Sequence, residues 1–168
     1  MTDDSRRDGA APEADATPVP VPEVLAFLAG TWHVERELRD GDRTGHFTGT
    51  AEFRPESDGS DNGGDGDGDW LHVEDGVMDW GEVSREAGRT LRLTPHADGT
   101  ADVFFADGRP FHTLDLRAGR WTAVHPCAAD HYEGTFTVVS PDEWHLRWDV
   151  RGPAKDQLLD SVYTRVRD

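Results

Sequence analysis

Arg120-Trp-Thr-Ala-Val-His-Pro-Cys-Ala-Ala-Asp-His-Tyr-Glu-Gly-Thr-Phe-Thr-Val-Val139 contains two runs of alternating, β-branched and aromatic residues around one tight connection. Such alternation over several residues marks a half-buried strand, so 120–125 and 132–139 read as an antiparallel pair. The connection is also where side-chain chemistry concentrates, with His125, Cys127, Asp130, His131 and Tyr132 close together. A four-residue loop over 127–130 sets His125 opposite Tyr132, Ala123 opposite Gly134 and Trp121 opposite Phe136.

The same pattern extends in both directions. Residues 32–39, 44–54, 70–79, 82–93, 100–106, 110–117, 144–151 and 157–167 read as eight more strands, separated by Gly-, Asp- and Pro-rich turns. Ten antiparallel strands close by pairing the last with the first, which removes exposed edges. We therefore expect an all-β, ten-stranded antiparallel up-and-down barrel. Residues 22–29 bring Val24, Leu25, Phe27 and Leu28 onto a short helix, ended by Gly30, that would plug one end. Residues 1–21 have the composition of a disordered acidic tail, and 22–168 form the single domain. Within it, 56–69 contain only Asp, Glu, Gly, Ser and Asn, a solvated flexible loop.

Turn lengths carry the register further. A two-residue turn at Asp107-Gly108 pairs Val103 with His112 and Ala101 with Leu114. One at Ala118-Gly119 pairs Leu116 with Trp121, Leu114 with Ala123 and His112 with His125. A three-residue loop over 140–142 pairs Val138 with Trp144, Phe136 with Leu146, Gly134 with Trp148 and Tyr132 with Val150. Directly opposed residues share a face, and these turns send one mostly apolar set inward. Ala123 and Gly134 leave room there, which Trp148 borders or fills. His112, His125 and Tyr132 form a polar row at one end, with Arg109, Asp130, Lys155 and Asp156 on the connections around that mouth. Arg36 shares a face with Trp32 and Val34 and so is an interior charge that needs a partner or an anion.

Acids outnumber bases 34 to 17 in the 168 residues, a net charge of −17, which argues against nucleic acid as a partner. The excess is concentrated: without 1–21 and 56–69 the count is 23 acids against 15 bases, a net of −8. Cys127 is the only cysteine, so no intrachain disulfide forms. Neither a signal pattern nor a bilayer-spanning apolar run is present, so the expected location is the cytoplasm, with no membrane partner.

Gly30-Thr-Trp32 after a short helix, with Arg165 in the last strand, resembles the calycin or lipocalin pattern, in which the early Trp packs beneath a late Arg. Leu28-Ala-Gly-Thr-Trp32, Ala106-Asp-Gly-Arg-Pro-Phe-His112, His125 to Gly134 and Trp148-Asp-Val-Arg-Gly-Pro-Ala-Lys-Asp156 resemble an uncharacterised bacterial family of lipocalin-like domains, from about Leu25 to the end. That resemblance implies the barrel and assigns no activity.

Three functional readings follow. The first is a binder of a small, partly apolar ligand, its apolar part against Leu114, Trp121, Phe136 and Trp148 and its polar or anionic group at His112, His125 and Tyr132, with Arg109, Asp130 and Lys155 near by. The second is an isomerase, dehydratase or decarboxylase using His112, His125 and Tyr132 for proton transfer. The third is a filled barrel acting through protein contacts. His112, His125 and Asp130 or Cys127 are the right donor types for zinc, iron or haem, but their spacing matches no standard motif, so no cofactor is expected. Asp58, Ser60, Asn62, Gly63 and Asp69 partly match a calcium loop, yet no helices flank them and a spacer is the better reading.

Overall fold

The computed structural model describes residues 17–56, 68–126 and 129–167. Among these residues one short helix, α1 (Val24–Leu28), precedes ten strands: β1 (Gly30–Asp40), β2 (Arg43–Pro55), β3 (Trp70–Asp79), β4 (Ser84–Pro95), β5 (Ala101–Phe105), β6 (Pro110–Leu114), β7 (Arg120–Pro126), β8 (His131–Ser140), β9 (Glu143–Arg151) and β10 (Asp156–Arg165). They make one antiparallel sheet in the order β6-β5-β4-β3-β2-β1-β10-β9-β8-β7. The last strand pairs with the first, Trp32 opposite Arg165 and Arg36 opposite Ser161. The expected barrel is present, and the registers derived from the turns at 107–108, 127–130 and 140–142 are the observed ones.

One end is sealed by apolar residues of α1 and its neighbours. Val24, Leu25 and Leu28 are buried, and Glu23 caps the helix by accepting a hydrogen bond from Ala26 N. Arg165 donates to Ala29 O at 3.2 Å and Phe27 O at 2.9 Å, and its guanidinium lies 4.2 Å from the ring centre of Trp32. Trp32 is itself fully buried and donates from Nε1 to Leu28 O. The cation therefore holds both the helix terminus and the aromatic floor beneath it.

Residues 17–21, which composition assigns to the tail, instead lie along this end. Val19 N donates to Val138 O and Val21 N to Leu116 O, and Val21 is buried. Alternating Pro and Val in 18–22 keep the segment extended and give it apolar side chains to bury. The segment passes so close to the loop between β4 and β5 that a Cβ on Gly99, which has φ +93°, would collide with Pro22 O.

Beside the turns at 107–108 and 140–142 the ladder shifts by one residue, between Val103 and Phe104 and between Val138 and Ser140, and the larger departure from the expected register lies between β6 and β7. No ladder joins β6 to β7, although turn length predicts Leu116 opposite Trp121 and His112 opposite His125. Leu116 O accepts instead from Gly119 N, closing a tight turn, and from Val21 N. With that carbonyl committed, the two strands splay and side chains cross the gap. Trp121 Nε1 donates to Thr113 O at 2.8 Å, and His125 Nδ1 bonds Phe111 O at 2.9 Å. These contacts satisfy carbonyls that a sheet ladder would otherwise take.

Replacing Trp121 by Phe keeps the ring and removes one of these bonds. Denaturation should show a loss of about 1 kcal/mol, and hydrogen exchange should show faster exchange confined to β6. Unchanged exchange there would mean that the seam is held by other contacts.

Candidate functional site

The polar centre of the barrel is Glu74 on β3, which is 1% exposed. Register places it between Ala51 of β2 and Arg89 of β4. Its Oε1 accepts from Arg36 Nη2 at 3.0 Å and faces Arg89 Nε at 3.4 Å. Its Oε2 accepts from Tyr163 Oη at 2.7 Å and is 3.1 Å from His72 Nε2. Arg36 also donates from Nε to Ser161 Oγ and from Nη2 to Tyr163 Oη. The interior charge on Arg36 thus has its partner, reached across the barrel from β1 to β3.

Two cavities flank this cluster, and Arg89 lines both. The smaller one measures about 30 Å³ and lies among Leu91, Val103, His112, Phe136, Trp144 and Trp148, room on the scale of a water or two. The other, about 160 Å³, has Arg36, Glu74 and Arg89 as its charged lining, with Leu38, Phe47, Met78, Ala87 and Leu159 as its apolar walls. It draws on β1 to β4 and β10. Among the described residues, Arg89 Nε is buried without a hydrogen bond, while the side chain as a whole is 36% exposed.

The residues singled out from sequence are spread over several environments. Trp148 fills the room beside Gly134, where a Cβ would come within 2.8 Å of the indole, and it stacks on Phe111. Phe136 and Leu114 are core residues, and Trp121 lies at the seam. His112 borders the smaller cavity, with its Nδ1 2.6 Å from Thr113 O. The His125 and Tyr132 rings are 5.8 Å apart at the mouth. Lys155 Nζ donates to Tyr132 Oη at 3.1 Å and pairs with Asp130 at 3.4 Å, joining three of the expected mouth residues. Arg109 turns outward, 77% exposed, and pairs with Asp107.

Among the described residues no group of three or more His, Cys, Asp or Glu is placed to hold a metal ion. Cys127 lies outside them, as do Asp58, Ser60, Asn62 and Gly63 of the calcium reading. Asp69 accepts from Thr94 Oγ1. No helix among the described residues is long and apolar enough to cross a membrane.

His72, Glu74, Arg89 and Tyr163 were not among the candidates from sequence. Arg89 was accessible to the same argument as Arg36, because it alternates with Leu91 and Leu93. Glu74 was harder to find. In β3 the apolar set Leu71, Val73 and Val77 suggests the inward face, yet Val77 is 45% exposed and His72 and Glu74 are buried.

The cluster fixes the protonation of its members. Burial pushes Glu74 upward, but the hydrogen bond from His72 and the Arg89 and Arg36 charges outweigh it and hold the carboxyl well below its usual range. Burial lowers the His72 imidazole despite its bond to Glu74, so at neutral pH it is uncharged. Burial likewise lowers His112 to about 4, and burial together with the Glu74 charge raises Tyr163 to about 12. Two guanidinium groups therefore face one carboxylate, a local net charge of about +1 inside an acidic protein.

The model described as a family of unknown function (DUF6314) matches residues 28–165. Comparison with curated proteins found no match. Among solved structures, the S-type phycobiliprotein lyase CPES from Guillardia theta superposes with a TM-score of 0.64 at 10% identity, covering 89% of this chain and 94% of the lyase. A redesigned β-barrel, mFAP1, bound to DFHBI gives 0.43 at 17% identity, over 84% of this chain and 97% of that one. A protein of unknown function from the DUF3598 family of Nostoc punctiforme gives 0.46 at 10% identity, over 89% of this chain and 51% of that one. The likeness to the lyase establishes a shared fold.

Truncating Glu74 to Ala leaves Arg36 buried without its charge partner, and urea denaturation should show a loss of about 3–5 kcal/mol. Stability should also fall at both extremes of pH. Between the ordinary histidine value of 6.5 and about 4, the unfolded chain takes up a proton at His112 that the folded chain does not, so acidification favours unfolding. Below 4.5 Glu74 adds to this loss in the same way. Above pH 10 the unfolded chain releases the Tyr163 proton that the folded chain retains to about 12, so stability falls again. Urea midpoints measured across pH 4–11 should therefore peak near neutrality, and a flat profile would contradict these assignments.

Proposed function

The chain belongs to DUF6314, a family whose description names no activity, and we propose from the geometry that it binds a small amphiphilic molecule at the mouth of its barrel. The observation that carries this reading is the 160 Å³ pocket, with charged groups at its floor and five apolar residues around its walls. Apolar concavity with a few convergent polar groups is how small-molecule sites are built. The volume lies below the ~300–1,000 Å³ of sites that enclose a drug-sized ligand, so the ligand is compact or only partly inserted.

This moves the ligand's apolar part from the surface expected of Leu114, Trp121, Phe136 and Trp148 to Leu38, Phe47, Met78 and Leu159. The first set packs in the core, leaving about 30 Å³ within. That tight interior favours the filled barrel as the second reading. Proton transfer by His112, His125 and Tyr132 has less support, because the two imidazoles direct Nδ1 to different carbonyls and Tyr132 engages Lys155.

Methyl-detected NMR with a fragment library tests the reading. Small amphiphilic fragments should shift the methyl signals of Leu38, Met78 and Leu159 and leave those of Leu91 and Leu146 in place. A library that moves none of the mouth methyls would favour the filled barrel.

A further inference from the structure

The floor of the mouth pocket restricts what its ligand can be. Glu74 is already fully engaged as an acceptor: Arg36, Tyr163 and His72 bond its oxygens, and Arg89 lies beside Oε1. It offers nothing to an incoming ammonium group. The donors are in surplus. Among the described residues Arg89 makes no hydrogen bond, its contact with Glu74 being a 3.4 Å ion pair, and Arg36 Nη1 is also uncommitted. With His72 neutral, Arg36 and Arg89 against Glu74 leave one positive charge at the base of an otherwise apolar pocket.

A monoanion neutralises that charge, whereas a dianion would leave a net negative charge in a partly desolvated site. A guanidinium fork matches two coplanar oxygens at carboxylate spacing. The remaining lining, Leu38, Phe47, Met78, Ala87 and Leu159, has no polar side-chain group for hydroxyls or a second acid. We propose that the pocket takes a monocarboxylate with a short apolar tail, its carboxylate gripped by Arg89 and its tail against Phe47 and Leu159. This rests on the reading of the pocket as the ligand site and adds the chemical class of ligand. The protein's net charge of −17 does not oppose it, because distant surface charges are screened over about 8–10 Å at physiological salt.

Isothermal titration calorimetry on the full chain tests the class. The probes are straight-chain and phenyl-substituted monocarboxylates of four to ten carbons, the matching primary amides, a dicarboxylate and phenyl phosphate. At least one acid should bind at least tenfold more tightly than its amide, the dicarboxylate and phenyl phosphate. Arg89→Leu should abolish that preference, Arg89→Lys should retain part of it, and circular dichroism should show both variants folded. Ala87→Phe, which fills the pocket and keeps the charges, should abolish binding of acids and amides alike.

Acids and amides that bind equally, and both fail with Ala87→Phe, would overturn the carboxylate assignment and leave the pocket reading standing. Tighter binding of phenyl phosphate would likewise overturn it. Binding that survives Ala87→Phe, or no binding by any probe, would overturn the pocket reading and the assignment together. If Arg89→Leu does not fold, the contrast between acid and amide on wild type and Arg89→Lys decides the matter.

Discussion

Glu74 is the acceptor on which the polar interior depends. One carboxylate, almost wholly removed from water, gathers Arg36 from β1, His72 from its own strand, Arg89 from β4 and Tyr163 from β10. Burying an ion pair costs desolvation that the mutual attraction repays only when the remaining donors and acceptors are matched. Here the match is complete for Glu74 and incomplete for Arg89. The inside of the barrel is thus tied together across its width, and one cation remains available at the base of a pocket.

The two ends of the barrel are built differently because of this. At the helix end, Arg165, Trp32 and the extended segment over 17–21 close the sheet with aromatic packing and backbone hydrogen bonds. The middle is packed by Phe136, Trp144 and Trp148. Among the described residues, the 160 Å³ pocket opens beyond the Glu74 cluster, among β1 to β4 and β10. That position lets a ligand reach charged groups without disturbing the core that supports them.

Much of this was legible from sequence because strand alternation and turn length reinforce each other there. Alternation gave the strands, and short turns gave registers such as His125 opposite Tyr132 and Gly134 opposite Trp148. Arg36 stood out as a charge on an apolar face. The β6–β7 seam was hidden because its cause is tertiary: Val21, far away in sequence, takes the carbonyl of Leu116. The cluster around Glu74 was hidden because β3 has apolar residues on both faces, so pattern alone cannot decide which face turns inward. Partnership with Arg36 and Arg89 decides it, and that is a property of three strands together. Of the mouth expected at His112, His125 and Tyr132 with Arg109, Asp130, Lys155 and Asp156 around it, Tyr132, Asp130 and Lys155 come together, but outside the 160 Å³ pocket.

The most direct measurement is a crystal structure of the full chain grown with a tight-binding phenyl-substituted monocarboxylate. Both carboxylate oxygens should lie within hydrogen-bond distance of the Arg89 guanidinium, with the Arg36–Glu74 pair intact and the tail beside Leu38, Phe47 and Leu159. A carboxylate seated at Tyr132 and Lys155, or a tail buried beside Trp148 with Arg89 untouched, would contradict it.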